Sequence, residues 1–255
     1  MAAHANHMTD GTDTDSDGKV RRLRPISCQF NIVKQAASSW LFQLGQGTKV
    51  ACAVYGPRSN VKDLNEFSEK CKVVCDVKLA PFANRGERRG RSGRSANEEE
   101  FSALLEQALI ASVCLEKYPK SVLNVYVVIL ENDGNALGAA VTASSLSLAM
   151  AGVECYDLVF GASASIENVI SQQTNQQAQQ ILIDPTAANE EKACGSIFVA
   201  YMPNLGKVNV LNVVGKINPD DTGNGLNACI ESCKKIHTFA RDILTKELVV
   251  NRKNV

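Results

Sequence analysis

From about Val20 the chain breaks into short apolar runs closed by turn residues. Trp40 to Leu44, Lys49 to Val54 (ended by Gly56 and Pro57) and Lys72 to Leu79 (ended by Pro81) read as strands, and their order predicts an antiparallel meander. Asn97 then caps a predicted helix whose first turn carries Glu98, Glu99 and Glu100. Its apolar stripe is Phe101, Leu104, Leu105, Ala108 and Leu109, and Pro119 ends the segment. Val122 to Leu130 is apolar on both faces, which predicts a central strand. Leu137 to Met150 is rich in Ala and Ser all round, which predicts a closely packed interior helix.

The second half repeats the alternation, with strands expected near Leu158 to Ser163, Ile181 to Asp184, Ser196 to Met202 and Lys207 to Val214. A last helix follows, with Leu226, Ile230, Cys233, Ile236, Ala240, Ile243 and Leu244 along one side. The Gln-rich piece from Ser171 to Gln180 reads as a surface connection or a polar helix. No fixed repeat period occurs, which excludes a solenoid. Strands and helices in segregated runs predict an α+β fold.

The first 18 residues hold four Asp, no Lys or Arg and no aromatic residue. Such a segment buries too little to offset its ordering entropy, so residues 1–20 are expected to form an unstructured acidic tail. Within it Asp13, Asp15, Asp17 and Gly18 start like a calcium loop, but the twelfth position, which needs a bidentate Glu, is Arg24. The folded part is expected to span 21–248 in two halves, about 21–155 and 156–248, with a flexible end at 249–255.

Composition narrows the function classes. The chain has 255 residues, 45% of them hydrophobic and 21% charged, which suits one large domain or two closely packed halves. The longest apolar run, Val125 to Leu130, is far shorter than the roughly 20 residues of a membrane span, and the N-terminus is too polar for a signal peptide. These features predict a protein of the cytosol or nucleus with no membrane partner. The nine cysteines, among them Cys52, Cys75, Cys114, Cys155 and Cys194 in apolar segments, read as reduced structural thiols. Cys71/Cys75 and Cys229/Cys233 have helical spacing, but there is no CxxC and the histidines are only His4, His7 and His237. A zinc site is not expected.

Charge is balanced overall, 27 Lys+Arg against 27 Asp+Glu, but unevenly placed. Between Arg85 and Arg94 lie five arginines, Arg85, Arg88, Arg89, Arg91 and Arg94, opposed only by Glu87 and interleaved with glycines. Guanidinium forks engage phosphate oxygens, and five of them on one loop repel each other unless anions are near. The loop therefore reads as a sequence-independent contact to a nucleic-acid backbone, with a bare solvated loop as the plainer alternative. Gly223-Asn-Gly225-Leu-Asn-Ala228 has dinucleotide-loop spacing, yet no strand leads into it and its glycines serve equally as a helix entrance. No Walker loop or G-x-S-x-G occurs. Asp184 with Glu190 and Glu191 could hold Mg²⁺ against a phosphodiester, but spacing alone favours a turn followed by a solvated helical turn.

Taken in order, Arg24-Pro25-Ile26, Ser39, Gly47-Thr48-Lys49-Val50, Val54-Tyr55-Gly56-Pro57, Ala80-Pro81-Phe82 with the Arg-rich loop, Asn132-Asp133-Gly134 and Leu182-Ile183-Asp184 resemble the RNase PH family, over about residues 21–248. The resemblance implies the RNase PH fold (ribosomal protein S5 domain 2-like), with antiparallel and mixed sheets packed against helices. Active members cleave RNA from its 3′ end with inorganic phosphate, which they hold with an Arg and hydroxyl residues just after the Asp-Gly turn. Here the Arg position is Leu137, between Ala136 and Gly138, so the phosphate ligands are missing and with them most of the positioning that phosphoryl transfer needs. Asp184 matches the family's first carboxylate and Glu190 stands in place of its second. The implied protein is a non-catalytic ring subunit of the eukaryotic RNA exosome, needing no cofactor or metal. It would pair with another RNase PH-like subunit within a six-membered ring, carry cap RNA-binding subunits and thread single-stranded RNA past its arginines, in nucleus, nucleolus and cytoplasm. The alternative is an active phosphate-dependent 3′-5′ exoribonuclease with a composite site including Asp184 and Glu190.

Overall fold

The strand from Ser121 to Glu131 organises the first half. Leu123, Val125, Val127 and Ile129 are fully buried on one face, and the opposite face leaves Tyr126 46% exposed and Val128 37% exposed. The computed structural model describes residues 6–7, 23–59, 69–84, 95–170 and 177–253. In chain order these form β1 (Asn6–His7), β2 (Ile26–Phe30), β3 (Ser38–Leu44), β4 (Thr48–Ser59), β5 (Lys72–Leu79), α1 (Ala96–Ile110), β6 (Ser121–Glu131), α2 (Ala136–Met150), β7 (Phe160–Ile170), β8 (Gln177–Ile183), α3 (Ala187–Lys192), β9 (Gly195–Met202), β10 (Lys207–Gly215) and α4 (Pro219–Lys253). One sheet runs β1-β2-β3-β4-β6-β5 and the other β10-β9-β7-β8.

The expected meander holds only for its first two strands. β3 and β4 pair antiparallel, but β6 lies between β4 and β5, and β5 runs parallel to β6. A parallel pair needs a crossover, and α1 supplies it by packing on β5 between the two strands in sequence. β2 was not expected as a strand. Of the expected tail, Asn6 and His7 pair with Ser27 and Cys28, and the remainder lies outside the described residues. The cap of helix α1 lies two residues before Asn97: Ser95 and Glu98 form a capping box, the Glu98 Oε2 accepting the Ser95 N–H at 2.9 Å.

α2 lies between the sheets, against β3 and β4 on one side and β7 on the other. Every residue from Ala136 to Leu148 is buried. Its hydroxyls avoid a desolvation penalty by bonding to the helix or to the residue just ahead of β7: Thr142, Ser144 and Ser147 donate to carbonyls four residues back, and Ser145 Oγ accepts the Val159 N–H. Gly138 sits against Gly161 of β7, where a Cβ on Gly161 would stand 2.7 Å from the Gly138 Cα. α4 packs on the other face of the second sheet, with Gly225 over Ile197 and His237 against the Phe160 ring. The layers are thus sheet, helices, sheet, helix.

Two further expectations change. The Gln-rich piece is strand where described, Gln177 to Gln180 pairing with Glu167 to Ile170 as an edge strand. The Gly223–Ala228 motif lies inside α4, which begins at Pro219, so it is neither a strand-to-helix turn nor a helix entrance, and the dinucleotide reading falls. Cys75 sits on a strand, with Cys71 just before it, while Cys229 and Cys233 share α4. All nine cysteines are free thiols, and burial pushes that of Cys229 up to about 12 and that of Cys155 up to about 11. No described helix is long and apolar enough to cross a membrane.

Candidate functional site

Two turns and the segment ahead of β2 meet at one junction. After β6 the chain turns through Asn132-Asp133-Gly134, with Gly134 at φ 86° and Asn135 at φ 52°, and enters α2. After β8, Asp184 at φ 52° leads through Pro185 and Thr186 into α3. Between them comes Arg24, just ahead of β2. A Cβ at Gly134 would overlap the Pro185 carbonyl, so only glycine lets these turns approach so closely.

Arg24 ties the junction together. Its Nε donates to Asp184 Oδ2 at 2.9 Å and its Nη2 to Asp184 Oδ1 at 2.8 Å, a bidentate ion pair of which the Asp184 side chain is 2% exposed. The Arg24 backbone N–H adds a second bond to Oδ2 at 3.1 Å, and Asn135 Nδ2 a second to Oδ1 at 2.7 Å. The remaining guanidinium N–H groups reach the carbonyls of Asp133 (2.9 Å), Gly134 (3.1 Å) and Pro185 (3.4 Å) and the Thr48 hydroxyl (3.3 Å). Thr48 Oγ1 in turn donates to the Gly134 carbonyl at 2.8 Å and accepts the Asp133 N–H at 3.1 Å.

Glu190, on α3, accepts the Asn135 N–H at 2.9 Å and so covers the first orphan amide before α2. Burial pushes its carboxyl up from the usual range, with Asp184 and Asp133 adding to the rise, against the Asn135 amide and Arg24, which pull it down. Both expected carboxylates therefore reach one junction, but Asp184 spends each of its oxygens on two donors. A cation would have to displace Arg24 to bind there. Among the described residues no group of three or more His, Cys, Asp or Glu could hold a metal ion.

Leu137 lies in the first turn of α2, 8% exposed and part of the hydrophobic core, flanked by Ala136 and Gly138. That turn offers neither cation nor hydroxyl. Arg85, Arg88, Arg89, Arg91 and Arg94 lie outside the described residues. The flanks of their segment are held: Asn84 bridges Asn132, whose Nδ2 donates to Asn84 Oδ1 at 3.1 Å, and Glu98, in the capping box with Ser95, accepts the Leu79 N–H at 2.9 Å.

Comparison with known proteins fits this geometry. Residues 22–154 match the model of the 3′ exoribonuclease family, RNase PH domain 1. The chain belongs to the RNase PH family. It is 33% identical over 237 residues to the human exosome complex component MTR3, covering 88% of this chain and 84% of the human protein. It is 30% identical over 241 residues to the exosome complex component Rrp41 of the archaeon Pyrobaculum islandicum, covering 94% and 93%. The crystal structure of rice Rrp46 shares the fold at a TM-score of 0.72 and 22% identity, covering 90% of this chain and all of the rice chain. Within this RNase PH domain, Arg24, Thr48 and Asn135 are the site residues that sequence reasoning left without a role. Arg24 and Thr48 stood in the motif strings, yet nothing in a string says that an arginine will cross 160 positions to meet Asp184.

Proposed function

We propose that this chain is a non-catalytic subunit of an RNA exosome ring, holding neighbouring subunits and RNA while a separate nuclease cuts. The observation that carries the reading is the turn into α2. Where a phosphate-using site needs a cation and hydroxyls, the chain places Ala136, buried Leu137 and Gly138. Phosphoryl transfer relies on positioning and charge neutralisation, and this turn supplies neither from side chains. Asp184, already carrying four hydrogen bonds, acts as a structural clamp. Likeness to MTR3 and Rrp41 supports the ring assignment.

The second sheet supports assembly with subunits of the same fold. β10 is an edge strand that exposes Val208, Leu211, Val213 and Val214, with no charged residue between Lys207 and Lys216. Soluble proteins normally blunt such an edge with charge or cover it. A neighbouring strand would satisfy its open hydrogen bonds and its apolar side chains together. The cap subunits, the threaded RNA contacted by the five loop arginines, and the nuclear, nucleolar and cytoplasmic setting complete the reading.

The test is phosphate-dependent release of nucleoside diphosphates from single-stranded RNA. The purified chain should release none. The assembled complex should keep its RNA-degrading rate with Leu137→Ala, because no phosphate ligand is lost. Diphosphate release by the purified chain overturns the non-catalytic reading. Replacing the five loop arginines by Ala should weaken RNA binding by the complex and flatten its salt dependence, because each lost phosphate contact removes released counterions. An unchanged salt slope overturns the RNA-threading part.

A further inference from the structure

The Asn135 side chain carries a donor and an acceptor, and the junction uses only the donor. Nδ2 donates to Asp184 Oδ1 at 2.7 Å, which fixes the amide and leaves Oδ1 over Gly138, where a Cβ would overlap it. Asn135 is 7% exposed, and among the described residues nothing donates to its Oδ1. A second buried oxygen without a partner is Ser163 Oγ on β7. Both residues line one cavity of about 10 Å³, together with Asp184 and Thr142. Asp184 is bonded to both of them: its N–H donates to the Ser163 carbonyl at 3.0 Å, and its Oδ1 accepts Asn135 Nδ2. Buried oxygens are rarely left dry, because each unmade hydrogen bond costs about 1–3 kcal/mol. Two of them facing one small space call for a shared partner.

We propose that this cavity holds one ordered water molecule, which donates to Asn135 Oδ1 and bonds the Ser163 hydroxyl. About 10 Å³ is at the lower bound of the room one water needs, and far too little for a phosphate or a nucleotide. The polar groups suit it. Asn135 Oδ1 only accepts, and the Ser163 hydroxyl donates or accepts. The Thr142 hydroxyl donates to the Gly138 carbonyl and accepts the Gly161 N–H, which leaves it a second lone pair. The oxygens of Asp184 are already taken, and Phe42, Ile183 and Ile236 add only apolar lining. With the water in place, Asn135, Ser163 and Asp184 form a closed hydrogen-bonded ring, and the Arg24 clamp is carried through to β7.

The direct test is a crystal structure of the full chain, or of a complex that contains it, at a resolution that shows ordered solvent. It should hold one density peak about 2.7–3.2 Å from both Asn135 Oδ1 and Ser163 Oγ. The second test is the sign of three stability changes. Ser163→Ala removes a partner of the water and should lower the melting temperature by about 2–4 °C. Ser163→Val puts methyl groups in the water's place and strands Asn135 Oδ1, so it should lower the melting temperature at least as far. Ser165→Ala is the control. Ser165 Oγ is also buried and unpartnered but does not line the cavity, so its removal should leave the melting temperature equal or higher. A dry cavity predicts the opposite at position 163, because deleting an unpaired hydroxyl or filling an empty space then stabilises the fold. A structure without the density peak overturns the proposal, and so does a melting temperature at or above wild type in both Ser163 variants. If neither variant folds, the density peak alone decides.

Discussion

Replacing Asp184 by Asn removes one charge and almost no volume, so it isolates the Arg24 ion pair. Asn also tolerates the left-handed backbone that position 184 adopts at φ 52°, which Ala would not do as cheaply. In the wild type the carboxylate accepts four hydrogen bonds, and the two side chains are 15% and 2% exposed. Removing one partner of a buried pair costs about 3–5 kcal/mol. Arg24 keeps its bonds to the Asp133, Gly134 and Pro185 carbonyls, so the lower end applies, about 3 kcal/mol. For a chain of this length that corresponds to a melting temperature lower by about 6–12 °C. The assay is thermal unfolding of the purified chain in a cycle with Arg24→Gln. The double variant should lose less than the two single losses added, by about 1.5 kcal/mol or more, because both charges are then gone. Raising salt from about 0.1 to 0.5 M should change the wild-type value little, since a buried pair is weakly screened. A drop under about 3 °C, or strictly additive losses, would refute the clamp.

The same structure fixes three other outcomes. Gly138→Ala gives up the close approach of α2 to β7, because the new Cβ lands on the Asn135 Oδ1 and 3.0 Å from the Gly161 carbonyl. The expected loss is about 2 kcal/mol, and an unchanged or raised melting temperature would mean that helix propensity outweighs the contact. Glu190 has a raised folded-state pKa, so its protonation stabilises the fold fully below the ordinary glutamate value, and that contribution is lost as pH rises through the raised value. Glu190→Gln, which keeps an oxygen for the Asn135 amide, should therefore gain stability relative to wild type between about pH 4 and pH 7; a constant or falling difference in melting temperature contradicts this. Leu137→Arg buries a guanidinium in the core without a partner, so it should cost about 2 kcal/mol or more and create no phosphorolysis; diphosphate release by that variant counts against the reading.

Local patterning made most elements legible. β3, β5, β6, α2, β9 and β10 each carry a period or an apolar run strong enough to place them within a few residues, whereas α1 stops at Ile110, well before Pro119, and α4 extends past the Leu226–Leu244 stripe at both ends, over Pro219–Lys253. Beyond those ends, what patterning missed was long range. β5 looks like the third strand of a meander because alternation says which residues are buried, not which neighbour a strand takes. Only the helix between β5 and β6 decides that they run parallel, and its influence is tertiary. Gln177 to Gln180 looked like a connection because edge strands can be polar on both sides while their backbones pair. At the site the string singled out Asp184, Glu190 and Leu137, and the structure puts all three at or beside one junction, the carboxylates on the β8–α3 side and Leu137 in the first turn of α2. The string did not give the carboxylates' partner, because Arg24 acts through geometry set by two left-handed residues, Asn135 and Asp184, on turns from different halves of the chain.

That geometry also accounts for a pair of carboxylates beside a turn into α2 that carries no cation or hydroxyl. Asp184 and Glu190 both do structural work that needs no chemistry. Asp184 fixes Arg24 against three carbonyls and Asn135 at the head of α2, and Glu190 covers the Asn135 amide, so the two residues join the β8–α3 turn to the β6–α2 turn. Remove either and a buried donor is left unpaired at the place where the halves meet, a cost that falls on folding whether or not any reaction occurs. A leucine at position 137 carries no such penalty, because that side chain points into a core that accepts it. On the proposed non-catalytic reading, the carboxylates that also serve the fold are the parts such a subunit would keep, and a phosphate ligand, which would serve only the reaction, is the part it could do without.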